Sequence, residues 1–453
     1  LNFQDLSINW SELQQEALVL LQTYLRFDTT NPPGNEEPAA RFVHERLCAE
    51  GIESRLLETQ PRRINVIARL RGNGAQRPLI LMSHSDVVHA NPAEWSAPPF
   101  SGEVRDGYVY GRGALDMKGL GIVNLMTMLM LKRAHVQLSR DIILLTVAGE
   151  ERDPQVGAKY LMENFRDELG HAEFMLNEGG SVVQAHFPEP FARFAPSRVW
   201  LVTCGEKGGI RVRVKAKGLS THPGVGSLNN PHVRLVRVLD KILSFKPPIV
   251  HTSTMDEAFQ RIVYRYVPRL CAPLFANKFV MALVAPFLIK DPMIGPTLRD
   301  NIVLLGFEEP TTSRGVIPSE SCAIIACQKL PGRESQILSQ LRAVIGNDPH
   351  VSLEVISESQ DLASPYTSEL FHVIERVAHR EDAQSLTLPV FSLAATDSRF
   401  FRPYGVQCYG LLPFDLTPSE LVRIHGNDER LSIENLQKGL RRWGEIVWEL
   451  CGV

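Results

Sequence analysis

Three short runs constrain the fold of this chain most: Leu79–His84, Asp141–Glu151 and Glu173–Gly180. Each is largely apolar on both faces and then ends in acids or an imidazole. A strand with one wet face alternates apolar and polar residues. A run apolar on both faces must be covered on both, as in a parallel sheet between layers of helices. Helix-like segments with apolar residues three and four apart separate and precede these runs, at Leu18–Tyr24, Ala39–Leu47 and Ile122–Arg133. Strands alternating with helices predict an α/β domain with a mainly parallel sheet flanked by helices. Ligands of such sheets bind beyond the carboxyl ends of the strands. His84, Glu150, Glu151 and Glu178 are expected at those ends.

The texture changes after residue 200. Gly209–Gly218 alternates apolar and basic residues, the mark of a half-exposed strand. A helical pattern at Val233–Leu243, a strand at Ser321–Cys327, a helix at Ser335–Ile345 and a strand at Val351–Ile356 follow. This order suggests a small α+β, ferredoxin-like domain at 203–357, inserted into a first domain made of 1–202 and 358–453. A chain of 453 residues is too long for one ordinary core, which agrees with two domains. The first domain is expected to end in a helix over Ile433–Cys451.

Composition excludes some functions. A net charge of −3 gives no electrostatic footprint for nucleic acid. Seven cysteines with no C-x-x-C pair read as reduced thiols. Leu1–Trp10 shows no basic stretch followed by an apolar core, so a cytoplasmic location is expected; a trimmed leader is compatible with the missing initial Met. The apolar segment 270–290 is interrupted by prolines, Asn277 and Lys278, short of the ~20 uninterrupted apolar residues of a membrane span. It is expected as core, subunit interface or substrate-cleft wall, and second as a membrane-surface contact. No integral span is expected.

The chemistry-bearing residues read two ways one by one. His84 and Asp86 are a polar turn, or a metal ligand beside an acceptor that fixes its ring. Asp116 sits in the glycine-punctuated stretch Gly111–Gly119. It is a turn acid, or a carboxylate bridging two cations on a backbone that glycines free. Glu150 and Glu151 are adjacent acids after a mostly apolar run, which repel unless cations neutralise them. They are a solvated pair, or one metal ligand and one metal-free carboxylate that takes a proton from a metal-bound water. Glu178 and His425, each alone, read as loop residues. Taken together, His84, Asp116, Glu151, Glu178 and His425, with one acid shared, are what two zinc ions with open positions for water and substrate use.

The ordered series His84–Val88, Trp95, Pro99–Gly102, Asp106–Gly119 and Glu150–Glu151 resembles the zinc aminoacylase and carboxypeptidase family. Its relatives include glutamate carboxypeptidase, carnosinase, succinyl-diaminopimelate desuccinylase and the N-fatty-acyl-amino-acid hydrolases, and the carboxypeptidase and fatty-acyl branch is the nearest. The resemblance implies a catalytic di-zinc domain interrupted by a lid domain that often dimerises. It implies two zinc ions per chain, or cobalt or manganese, held by the five side chains above. A zinc-bridged hydroxide, with Glu150 as general base and then acid, would cleave an amide beside a free carboxylate, in a small peptide or an N-acyl amino acid. Gly218–Gly224 resembles the lid motif whose histidine, here His222, stabilises the oxyanion. Asn230 matches the lid asparagine. Thr396–Phe400 resembles the Thr-Asp-Ser-Arg motif, making Arg399 the candidate partner of the substrate carboxylate, since a planar fork suits bidentate pairing.

Three departures stand out. Gln328 replaces the usual lid arginine, with Lys329 or Arg333 as possible substitutes. Gly315 replaces an asparagine. Asn177 stands where some relatives have Asp, and Glu178 is taken as the ligand because Asn binds zinc poorly. The competing reading is a non-catalytic dimeric scaffold or binding protein that kept the fold. Clustered acids argue against it, since a scaffold gains nothing from their repulsion.

Overall fold

The both-face apolar runs become the centre of an eight-stranded mixed sheet in the computed structural model, which describes residues 3–184, 198–225, 229–268, 270–290, 294–308, 315–359 and 362–453. Its strands are β1 (Glu53–Gln60), β2 (Arg63–Leu70), β3 (Leu79–His84), β6 (Ile142–Val147), β7 (Phe174–Val183), β8 (Val199–Glu206), β13 (Leu386–Ser392) and β14 (Gln407–Leu416). They lie in the order β1-β2-β6-β3-β7-β14-β8-β13. A small separate sheet joins β4 (Glu103–Arg105), β5 (Tyr108–Tyr110) and β15 (Arg430–Ser432). The remaining strands, β9 (Gly208–Lys217), β10 (Asn301–Phe307), β11 (Glu320–Lys329) and β12 (Val351–Glu358), form a third sheet. By contacts the chain divides into two compact units, 1–204 with 364–390 and 396–453, and 205–363 with 391–395.

The centre of the large sheet is parallel, and the edge strand β13 also runs parallel to β8, with Leu386 N–H donating to the Arg198 carbonyl and Lys207 N–H to the Ser392 carbonyl. β6, β3, β7 and β14 run together, whereas β1 and β2 form an antiparallel hairpin on β6 and β8 pairs antiparallel with β7 and β14. The parallel centre needs cover on both faces, and it has it. The helix Lys118–Arg133 is buried along nearly all its length against one face. On the same side, the helix Ile433–Cys451 buries Leu436, Leu440, Trp443 and Val447. Trp443 Nε1 donates to Asn124 Oδ1 at 2.7 Å, and Asn124 Nδ2 donates to the Met82 carbonyl at 3.0 Å. That chain of donors ties the last helix through the long buried one to β3. A second cluster, with Ile80, Ile143, Leu145, Leu161 and Met175, covers the other face.

Register places the charged ends. His84 pairs with Val147, so β3 and β6 stop at the same level and Glu150 follows just beyond. Glu178 departs from its expected place. It lies inside β7, not at its end, because β7 outruns β3: their pairing stops at Leu81–Leu176, and β7 continues to pair with β8 from Ser181. In the small sheet, Tyr108–Tyr110 pairs with Arg430–Ser432. This brings the turn starting at Gly111 beside the segment that starts at His425.

In the second unit, β10-β11-β9-β12 is antiparallel throughout. β9 buries every second residue, as its alternation predicts. Helices Pro231–Ser244 and Glu334–Ile345 close its inner face around Val212, Val214, Leu239, Ile325 and Leu341. β10 and the helices Ser253–Tyr266 and Lys278–Leu288 complete this unit. The core reading of 270–290 holds for one side alone: Ala272, Met281 and Ala285 are buried, whereas Leu270, Leu274, Phe279, Leu283 and Phe287 are exposed. Among the described residues no helix is long and apolar enough to cross a membrane.

Candidate metal centre

His84 closes β3 with its ring buried. Its Nδ1 faces the main-chain carbonyl of Asp86 at 3.0 Å, which leaves Nε2 pointing at Asp116 Oδ1, 3.1 Å away. The Asp86 carboxylate lies further from the ring, at 3.6 Å. It has other work: its oxygens accept from the main-chain N–H groups of Glu150 at 3.1 Å and Glu151 at 3.2 Å, and from Asn31 Nδ2 at 2.9 Å. Asp86 therefore fixes the two adjacent acids to the end of β3, while the His84 tautomer is set chiefly by a carbonyl.

Asp116 is the shared residue. Its Oδ1 faces His84 and its Oδ2 lies 3.0 Å from His425 Nε2. Glu178 Oε2 is 3.8 Å from His84 Nε2, and Glu151 Oε1 is 3.2 Å from His425 Nε2. Two groups capable of holding a cation result, His84 with Asp116 and Glu178, and Asp116 with Glu151 and His425. Glu150 belongs to neither. The turn that carries Asp116 needs its glycine at 113, where φ is +91° and a Cβ would sit 2.8 Å from Val87 Cγ1. A second glycine requirement precedes the acids: Gly149 has φ +77°, and a Cβ there would lie 2.5 Å from the Asp153 carbonyl.

The electrostatics follow from crowding acids in a buried place. Burial and the neighbouring Asp116 push the Glu178 carboxyl up to about 8. Burial, with Glu178 and Asp397, pushes Glu150 well above the carboxylate range. Burial opposes ionisation of Asp116 as well, but hydrogen bonds from His425 and His84 prevail and hold it below its ordinary value. His425 is raised to about 10 by its hydrogen bonds to Asp116 and Glu151. Burial disfavours the charged form of His84, yet Asp116, Asp86 and Glu178 outweigh it and raise that imidazole too. The cluster is thus short of positive charge, so much so that its imidazoles are drawn toward the cationic form. A divalent cation in either group would supply that charge, and imidazole nitrogens with carboxylate oxygens are the donors zinc takes. The residues present fit the metal.

The other residues singled out in the sequence lie elsewhere. Asn177 is not in the cluster; its Nδ2 donates to Ser398 Oγ at 3.2 Å. Arg399 lies in the 3-10 helix Asp397–Phe400 with its guanidinium 4.8 Å from the Phe400 ring centre, and its buried Nε makes no hydrogen bond. His222 is exposed in the second unit, and its Nδ1 accepts from the Gly224 N–H at 3.1 Å. Asn230, also there, caps the helix Pro231–Ser244 by accepting from the His232 N–H at 2.9 Å. The two substitutes for the missing arginine are engaged. Lys329 is buried with Nζ 3.9 Å from Glu358, and Arg333 donates to the buried Asp300 at 3.0 Å.

One functional residue went unread. Glu429 is fully buried, and its carboxylate accepts from the N–H groups of Gly113 at 2.9 Å, Leu115 at 2.8 Å and Asp116 at 3.0 Å. Arg112 Nη1 completes the set at 2.7 Å. Glu429 thereby bolts the Asp116 turn to the segment carrying His425. The only hint in the sequence is an acid four residues after His425, and surface turns carry such acids routinely.

The chain is similar to several known proteins. The model of Peptidase family M20/M25/M40 matches residues 80–449. Human N-fatty-acyl-amino acid synthase/hydrolase PM20D1 is 26% identical over 382 residues, which is 82% of this chain and 74% of that protein. Pig aminoacylase-1 is 24% identical over 457 residues, 98% of this chain and 97% of that protein. Among solved structures, the M20 family metallo-carboxypeptidase Sso-CP2 from Sulfolobus solfataricus shares the fold with a TM-score of 0.67 at 17% identity, over 95% of this chain and 98% of that one.

Proposed function

The chain belongs to Peptidase family M20/M25/M40, a family of metal-dependent hydrolases, and on that premise we propose that it cleaves an amide bond beside a free carboxylate at a site holding two zinc ions. The observation that carries the reading is Asp116, whose two oxygens face two different histidines, each with a further acid. His84, Asp116 and Glu178 would hold one ion, and Asp116, Glu151 and His425 the other. Bound there, the ions would supply Lewis acidity and a nucleophilic water at neutral pH.

The side chains divide the remaining work. Glu150 stands outside both donor groups, so its carboxylate is left to take the proton of the attacking water and then deliver it to the leaving amine nitrogen. Asp86 positions it through the main chain. His222 donates to the developing oxyanion, and Asn230, whose side-chain oxygen is used in capping, keeps its Nδ2 donor for the substrate. Arg399, with an unpartnered Nε, pairs with the substrate carboxylate. The substrates are dipeptides, the C-terminal residues of short peptides or N-acyl amino acids. The unit 1–204, 364–390 and 396–453 is the catalytic domain, and 205–363 is the lid.

The lid is also proposed to pair two chains. β10 is the edge strand of the sheet formed by the described residues and leaves Val303, Leu305 and Phe307 exposed, an apolar strand that a symmetric partner would cover. All seven cysteines are thiols, in keeping with a reducing cytoplasm. A panel of dipeptides and N-acyl amino acids, assayed with and without a chelator, tests the reading. Hydrolysis insensitive to chelation, or no hydrolysis of any member with zinc bound, would overturn it.

A further inference from the structure

From Ala258 to Lys290 the chain carries no Asp or Glu, while Arg261, Arg265, Arg269, Lys278 and Lys290 are all basic. The net charge of the whole chain is negative, whereas no acid lies between Ala258 and Lys290; Asp256 and Glu257 precede the segment, Glu257 pairing with Arg261 at 2.7 Å, and Asp291 follows it. The segment also exposes several large apolar side chains. Leu270 is 95% exposed, Leu274 71%, Phe279 85%, Leu283 73% and Phe287 72%.

The helix Lys278–Leu288 is apolar on two sides. Its inner side, Met281 and Ala285, packs with Leu298, Met255 and Phe259. Its outer side is a stripe at four-residue spacing, Phe279, Leu283 and Phe287, which is exposed among the described residues. Single exposed apolar side chains are ordinary. A contiguous row of aromatic and leucine side chains marks an interaction surface. Exposed cations flank the row, with Lys278 at its start and Lys290 just past its end, where Nζ lies 6.0 Å from the Phe287 ring centre. Arg265 is exposed on the preceding helix.

We infer that this face binds the surface of a bilayer containing anionic lipid, with Phe279, Leu283 and Phe287 entering the acyl boundary and Lys278, Lys290 and Arg265 meeting the headgroup phosphates. Two observations select that occupant. A helix of eleven residues is about 16 Å long, roughly half the ~30 Å hydrocarbon thickness, so it lies along the interface and does not cross. No acid lies between Lys278 and Lys290: a second copy docking stripe to stripe would set lysine against lysine, whereas anionic headgroups complement both.

The test uses the full chain and vesicles of phosphatidylcholine with or without phosphatidylserine, read by co-sedimentation at low and high salt. The chain binds the serine-containing vesicles, and binding weakens with salt. Phe279→Ser with Phe287→Ser lowers binding at least about tenfold, and Lys278→Glu with Lys290→Glu does the same for the anionic vesicles only. Circular dichroism and light scattering check that each variant keeps its fold and oligomeric state. Absence of vesicle binding by the unaltered chain overturns the inference. So does unchanged binding in either folded variant, or a patch variant whose only effect is to convert a dimer to a monomer.

Discussion

Glu150 and Glu151 are neighbours in sequence and differ in what they face. Glu151 meets His425, while Glu150 joins neither donor group and is pushed up by burial among other acids. Replacing Glu150 with Ala is expected to lower turnover about 10²- to 10⁴-fold while bound metal per chain stays unchanged, measured by steady-state rates beside elemental analysis. Glu429 acts one step further out. Glu429→Gln keeps the shape but loses the charge that Arg112 and three N–H groups share. Metal affinity in that variant is expected to fall about 10- to 100-fold, read by competition with a chromogenic chelator. An unchanged affinity would reduce Glu429 to a folding residue. Glu429→Ala strands the buried Arg112 guanidinium and should cost about 3–5 kcal/mol of stability in denaturant titrations.

Among the elements, the helix Ile433–Cys451 matters most to the first unit because it is anchored twice. Trp443 fills the core and donates through Asn124 toward β3, and Arg442 pairs with Asp415 of β14 at 2.8 Å. Trp443→Ala is expected to destabilise by about 3–5 kcal/mol, seen as a lowered midpoint in denaturant. The Asp415 pair predicts a pH dependence. Burial works against the Asp415 charge, but Arg442, with Lys438 and Arg198, prevails and holds its carboxyl below the ordinary value. A depressed carboxyl stabilises the fold at pH values above the unfolded aspartate range. That contribution fades as pH falls through the folded value. Asp415→Asn should therefore be less stable than the unaltered chain at neutral pH, by about 1–3 kcal/mol, with the gap closing in acid. A gap independent of pH would sink this account.

For the molecule as a whole, the acids of the centre repel until cations join them, so metal and stability are linked. Chelation is expected to abolish hydrolysis and lower the melting temperature of the first unit, and zinc to restore both. The proposed pairing through β10 is separable from the centre. Phe307→Asp should give a chain of monomer mass by light scattering, with its metal content intact. A dimer that survives this change places the interface elsewhere.

The order of types along the chain was enough for the α/β class, the parallel centre and the family, because each rests on local patterns: both-face apolar runs, helical spacing and a series of short motifs. The edges of the sheet were not readable, since an antiparallel strand such as β1 or β8 is defined by the partner it meets. β10 and the apolar helix Lys278–Leu288 are a related case: apolar residues that face outward look like core residues in one dimension. Five candidate side chains could be named from residue type and position, but their pairing could not. That His84 and His425 face opposite oxygens of Asp116 depends on the β3–β6 register, on the β5–β15 pairing and on the Glu429 carboxylate between two turns over three hundred residues apart in sequence. Residue type states which atoms can bind a metal; only contacts distant in sequence decide which atoms share one.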